Sequence, residues 1–392
     1  MVNHLEFLKD EIASLKAQNL YTPLPILGGE QKARTIINGK KVINLSSNNY
    51  LGFANHPRLR KAAKEAIDKW GFGTGAVRQI CGTMPIHIEF EKQLAEYKKT
   101  EAALVFVAGI AANRGTIQAI MGEEDVIISD ELNHGSIIDG VRLVKCERKI
   151  YPHCDMKGLE QALKESQKFR RRLVVMDGVF SMDGDISPLD RIVELSEKYD
   201  AITMVDDAHG DGVLGKDGRG IVDHFNLHGR VDIDMGTLSK AFGCLGGYIA
   251  GPEELRDYLI QRARSFIFTT SHPPGVVAAC MEAIKMVQDE PQHLKNLWKN
   301  TKYFKGKIMD LGFDTGRSQT PITPIIVGES KNAIDLSNET FKEGLFAKPI
   351  VYPLVAKDKA RVRTIVTAIH TKEDLDEAVD IFEKVGKRLK LI

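Results

Sequence analysis

Between about residue 100 and residue 250 the chain repeats one unit, a short apolar run followed by a turn and then, in places, a segment with helical spacing. The runs are Ala103 to Val107, Asp125 to Ser129, Leu173 to Met176, Ile202 to Val205, Ile233 to Gly236 and Gly247 to Ala250, and Leu159 to Lys168 and Leu189 to Tyr199 have helical spacing. Short apolar runs bounded by turn residues suit strands buried on both faces. Strands that alternate with helices argue for a mainly parallel sheet covered by helices on both sides. Such a sheet gathers ligands outside the carboxyl ends of its strands, so functional side chains are expected just after them.

At 392 residues the chain exceeds what one growing core supports. The spacing predicts an N-terminal helix and hairpin segment over 1–48, a large α/β domain over 49–275 and a small α+β domain over 276–392. Leucine, phenylalanine or isoleucine at 5, 7, 8, 12 and 15 give the first helix an apolar face that needs a partner, and Asn38-Gly39 between apolar runs reads as a hairpin turn. A helix over Val276 to Gln288 precedes an αβ pattern formed by Thr323 to Val327, Arg361 to Thr367 and Lys372 to Leu389.

Three strand ends carry chemistry. Val231 to Gly236 runs into Thr237-Leu238-Ser239-Lys240-Ala241-Phe242-Gly243, small and hydroxyl residues suited to a phosphate, with one lysine among them. A lysine forms an imine only as the neutral amine, so a pocket that desolvates Lys240 turns it into a nucleophile. Ala201 to Val205 delivers Asp206, with His209 three residues later. A carboxylate beside a pyridine nitrogen keeps that nitrogen protonated and makes the ring an electron sink, and an imidazole nearby can donate to a phenolic oxygen on the same ring. Val107-Ala108-Gly109 ends a strand and opens a helix whose free N–H groups suit a phosphate. His134, after another strand, is placed to stack on an aromatic ring or to make an ordinary hydrogen bond. Taken singly, Lys240 reads as a solvated lysine and Asp206 as a turn cap; together, with the glycine-rich flank, they argue for a cofactor.

Two motifs are set aside. Gly210-Asp211-Gly212-Val213-Leu214-Gly215 has the glycine spacing of a dinucleotide loop but is followed by Lys216-Asp217-Gly218-Arg219-Gly220, a loop where that fingerprint needs a helix. Cys146, His153 and Cys154 lack the spacing and the fourth ligand of a closed zinc site, so no metal is expected. A net charge of +1 from 54 basic and 53 acidic residues leaves no footprint for nucleic acid or an anionic membrane. Five cysteines without a paired pattern suit a reducing compartment, and no stretch approaches the ~20 apolar residues of a membrane span, so a cytoplasmic protein acting on small molecules is expected.

The chain from about 40 to 370 resembles the α-oxoamine synthases, fold-type I pyridoxal-phosphate enzymes that join an amino acid to an acyl-coenzyme A. The resemblance rests on Asn48-Asn49-Tyr50-Leu51-Gly52, Asn133 to Gly140, Gly178 to Gly184, Val205-Asp206-Asp207-Ala208-His209, Gly236 to Lys240 and Arg361-Val362-Arg363. It implies a pyridoxal 5'-phosphate cofactor bonded to Lys240, Asp206 on the pyridine nitrogen, His209 with Ser181 near the ring hydroxyl, His134 stacked on the ring, and Gly109, Ile110 and Thr237 at the phosphate. It further implies Asn48 and Arg363 at the substrate carboxylate, and Thr269 and Thr270 reaching the phosphate of a partner subunit in a homodimer with shared sites. Within the family, Gly73 to Thr83 and Asp130 to Arg142 look most like the glycine C-acetyltransferases, which implies glycine and acetyl-CoA. The 8-amino-7-oxononanoate synthases, using alanine and pimeloyl-CoA, are the alternative, alone or in a bifunctional enzyme. Readings of another kind are an aminotransferase and a catalytically silent cofactor-binding protein.

Overall fold

The structure, a computed structural model, describes residues 3–18 and 20–392. The first helix, Phe7–Ala17, buries none of its residues, and Phe7, Leu8, Ile12 and Leu15 are all exposed. Strands β1 (Arg34–Ile37) and β2 (Lys40–Asn44) form the expected hairpin. Asn38 and Gly39 both take positive φ, 49° and 80°, the turn conformation that matches strand twist.

Seven strands form the large sheet: β3 (Ala102–Phe106), β4 (Val126–Asp130), β5 (Glu147–Tyr151), β6 (Arg172–Asp177), β7 (Ile202–Asp206), β8 (Ile233–Thr237) and β9 (Gly247–Gly251). Their order is β3-β9-β8-β7-β6-β4-β5, with β9 antiparallel to both neighbours and the run from β8 to β5 parallel. Apolar residues are buried on both faces, as a helix-covered sheet requires. Strand β5 escapes a reading based on apolar runs. It lies at the sheet edge, begins Glu147-Arg148-Lys149 and buries only Tyr151.

The helix Pro274–Asp289 places Val277, Cys280, Ile284 and Val287 in the same core cluster as Tyr50, Phe90 and Tyr248. The expected change of unit at residue 276 therefore falls inside a helix that packs with the large sheet. Beyond it, β10 (Ile322–Gly328), β12 (Lys348–Ile350) and β13 (Ala360–Ile365) make an antiparallel sheet, and β11 (Leu345–Phe346) adds in parallel to β2. Ile43 and Leu45 share a core with Phe304, Leu336, Val362 and Phe382, so the N-terminal hairpin is packed with the C-terminal sheet. Among the described residues, no helix is long and apolar enough to cross a membrane.

Candidate active site

The carboxyl ends of β6, β7 and β8 meet at one place. Register sets Asp177 of β6 beside Asp206 of β7. Asp206 is 4% exposed, and its carboxylate accepts from the Ala208 amide at 3.0 Å and from the Asn113 side chain at 2.7 Å. Asn113 also donates to Ser136 Oγ at 2.9 Å. Burial, and then the charge of Asp206, push the Asp177 carboxyl well above the usual carboxylate range, and it accepts from the His134 amide at 2.7 Å.

Lys240 follows β8. Burial pushes its ammonium down to about 8, while Asp206 and Asp177 pull the other way and Arg363 adds to the depression. The balance makes the neutral amine accessible near physiological pH, which imine formation requires. Behind this floor, buried Lys98 faces Asp211 and Asp234 at 2.9 Å each and Asp207 at 3.3 Å, and Tyr248 donates to Asp211 at 2.6 Å. The cluster braces the turn between Asp206 and Asp211.

His209 is 7% exposed, and its Nδ1 pairs with the Tyr50 hydroxyl at 2.7 Å. Burial first, then Lys240 and Arg363, hold it well below the ordinary histidine range, so it is neutral. Tyr50 carried no role in the sequence reading, although it sits inside the Asn48 to Gly52 motif. His134 remains accessible, its Nδ1 bonded to Ser136 Oγ at 2.8 Å; desolvation lowers its pKa, Asp206 opposes this and Lys240 adds to it. Ser181 is half-buried on the turn after Phe180, and no hydrogen bond reaches its hydroxyl among the described residues.

The helix Gly109–Ile120 starts without a side-chain cap, so the N–H groups of Gly109 and Ile110 stay free. Beside them the Thr237 hydroxyl donates to Gly246 O at 2.9 Å. A Cβ on Gly247 would lie 2.6 Å from the Gly109 Cα, so both backbones approach as closely as only glycine allows. On the other side, Arg363 of β13 places both terminal nitrogens 3.4 Å from Asn48 Oδ1. Its Nε is buried without a partner, and no carboxylate pairs with it among the described residues. The neighbouring Arg361 pairs with Asp183 at 2.6 Å, tying β13 to the loop that carries Ser181.

Thr269 and Thr270 are not brought to this cluster. Their hydroxyls donate to Ser265 O and Ala76 O within the chain, and Thr270 is exposed. His153 and Cys154, with Asp130, offer three possible metal-ligand atoms within 4.8 Å of one another. Both imidazole nitrogens of His153 already face carboxylates, Asp130 at 3.1 Å and Asp185 at 2.8 Å, which suits an imidazolium brace.

The description of the class I and II aminotransferases fits residues 40–382. The 8-amino-7-oxononanoate synthase of Thermoanaerobacter pseudethanolicus is 58% identical over 392 residues, 100% of this chain and 99% of that protein. 8-Amino-7-oxononanoate synthase 1 of Bacillus subtilis is 54% identical over 392 residues, all of both chains. A solved serine palmitoyltransferase carrying pyridoxal phosphate superposes with a TM-score of 0.94 at 29% identity, over 99% of this chain and 98% of that one. The chain belongs to the class I and II aminotransferase family, within its α-oxoamine synthases.

As an α-oxoamine synthase it is a pyridoxal-phosphate-dependent acyltransferase of fold type I. The residues present fit that cofactor. Asp206 is a buried carboxylate with no cation in ion-pair reach among the described residues, as a pyridinium partner has to be. The uncapped helix start and the glycine cradle beside Thr237 suit the phosphate. The glycine C-acetyltransferase branch expected from the sequence is not the one these relatives carry; both bear the name held as the alternative.

Proposed function

We propose that this α-oxoamine synthase is an 8-amino-7-oxononanoate synthase, joining alanine to a pimeloyl thioester with release of CO2 and the free thiol. The observation that carries the reading is end-to-end identity of 54% and 58% with relatives of that name. It displaces glycine and acetyl-CoA as first choice.

Bound pyridoxal phosphate supplies an electron sink for charge developing at the amino-acid α-carbon. The protein does the rest. Arg363 binds the amino-acid carboxylate with its planar fork and Asn48 fixes that fork, which orients the bonds at the α-carbon. Lys240, the residue that carries the cofactor between turnovers, removes the α-proton as general base, for which an amine titrating at about 8 is well matched. Asp206, oriented by Asn113, holds the pyridine nitrogen protonated. With pyridoxal phosphate bound, His209 and Ser181 would serve the ring hydroxyl, His134 would cover the ring face, and Gly109, Ile110 and Thr237 would hold the phosphate. The α-carbon then bonds to the acyl carbon, the thiolate leaves, and the carboxylate is lost as CO2. Two subunits share the sites, each supplying Thr269 and Thr270 to the other's phosphate, and the enzyme works in the cytoplasm.

Thiol release from acetyl-, hexanoyl- and pimeloyl-CoA against glycine, alanine and serine tests the reading. The highest kcat/KM is expected for pimeloyl-CoA with alanine. A maximum at acetyl-CoA with glycine overturns it, and product from 2-oxo acids without any thioester points to an aminotransferase.

A further inference from the structure

A product with a terminal carboxylate needs a second cation beyond the one that holds the amino acid, and the small sheet supplies one. Register pairs Lys348 of β12 directly with Arg363 of β13, so the two side chains emerge from the same face as cross-strand neighbours. Like charges at such positions oppose each other, and neither is relieved by a carboxylate among the described residues. Arg363 has only Asn48, and no hydrogen bond or ion pair reaches the Lys348 ammonium. Two unpaired cations side by side suit two carboxylates.

Three lysines among the described residues are pushed below the ordinary range by burial: Lys240, Lys305 and Lys348. The first belongs to the site already described. Lys305 donates to Ser318 O at 3.0 Å, Ser318 Oγ at 2.8 Å and Thr320 O at 3.0 Å, so its charge is answered by oxygens. Lys348 alone is left with its charge unanswered. It lines a cavity of about 380 Å3 with a mixed wall, in which Ile334, Phe341, Phe346 and Pro349 offer apolar surface to a methylene chain and Asn38 and Lys16 are polar.

We infer that Lys348 binds the distal carboxylate of a dicarboxylic acyl chain, whose methylenes lie along Phe346 and its apolar neighbours, while Arg363 keeps the carboxylate of the amino acid. The inference rests on the proposed 8-amino-7-oxononanoate synthase activity and adds the residue that selects its acyl donor.

The test compares pimeloyl-CoA with heptanoyl-CoA, which have equal carbon counts and differ only in the terminal carboxylate, in the wild type and in Lys348→Met, Lys348→Gln and Lys348→Arg. The wild type prefers pimeloyl-CoA. The two neutral variants lose that preference by about tenfold or more, as removal of a charge-assisted contact implies, with heptanoyl-CoA turnover, the KM for alanine and cofactor absorbance unchanged. Lys348→Arg keeps most of it. A wild type indifferent to the carboxylate defeats the functional reading itself. A preference that survives in both neutral variants defeats the role of Lys348 alone, and an equal fall with both thioesters does the same, since the lysine then serves the coenzyme A moiety or the fold.

Discussion

The side-chain amide of Asn113 donates to Asp206 Oδ2 at 2.7 Å and to Ser136 Oγ at 2.9 Å, fixing the carboxylate that stands at the end of β7. Its own oxygen is buried without a partner, so the residue is held for its two donors. Asn113→Ala is expected to lower kcat about tenfold with cofactor retained, and Asn113→Asp to be worse because it sets a second acid against Asp206. Steady-state kinetics with cofactor absorbance checks both; unchanged kcat in the alanine variant removes Asn113 from the machinery.

Asp206→Asn keeps the shape and loses the charge. Turnover is expected to fall by orders of magnitude while cofactor content falls little, because phosphate contacts are untouched and each unit of lost ring pKa costs about 1.4 kcal/mol of stabilisation. Rapid-mixing spectra with alanine measure it, and an unchanged rate contradicts the assignment.

Lys240→Ala should abolish turnover. In the wild type, recombination of cofactor-free protein with pyridoxal phosphate should speed up as pH rises toward about 8 and level off above it. The sign follows from the depressed amine: below that pH the ammonium dominates and the attacking neutral form falls about tenfold per unit. A rate flat between pH 6 and 9 argues against attack by this amine.

Gly247→Ala puts a Cβ 2.6 Å from the Gly109 Cα, against backbone that cannot swing aside. About 1 to 3 kcal/mol of stability is expected to be lost, with weaker cofactor binding because the helix start shifts. Thermal unfolding with and without the cofactor checks this; a variant with wild-type melting in both states shows that the approach tolerates a methyl group.

Thr269 and Thr270 are spent on main-chain oxygens of their own chain, Ser265 O and Ala76 O. If they serve a partner's phosphate, mixing Lys240→Ala subunits with a Thr269, Thr270 double variant restores one working site per mixed dimer. Verified mixed dimers with no activity would make each subunit self-sufficient.

The parts of this fold legible in the sequence are those written in apolar periodicity. The six strands from Ala102 to Gly251 with buried sides, and the helix Lys372–Leu389, declare themselves because burial selects their residues. Strand β5 is charged at the edge, and the helices Gln292–Asp310 and Ser330–Glu343 carry few buried residues among many polar ones, so their ends do not stand out in the sequence. In the site, residues that carry chemistry sit in recognisable motifs, but those that support them do not. Asn113, Tyr50 and Lys98 act across 93, 159 and 113 residues of chain, onto Asp206, His209 and Asp211, and no local pattern encodes such distances. Lys348 needed the register of β12 against β13 to stand out from the other lysines.

Strand β2 pairs with β11, and Ile43 lies among residues drawn from beyond position 300. During synthesis the hairpin leaves the ribosome about 300 residues before its partner strand exists, a wait of roughly 15 to 60 s at ordinary elongation rates. The segment made early is thus among the last to be seated, and Asn48, just beyond it, meets Arg363 only when all but the last few turns of chain have been made. A truncated product ending before β13 has Lys240 and Asp206 but lacks Arg363, so the cluster at the sheet's carboxyl edge stays incomplete until the C-terminal sheet has formed.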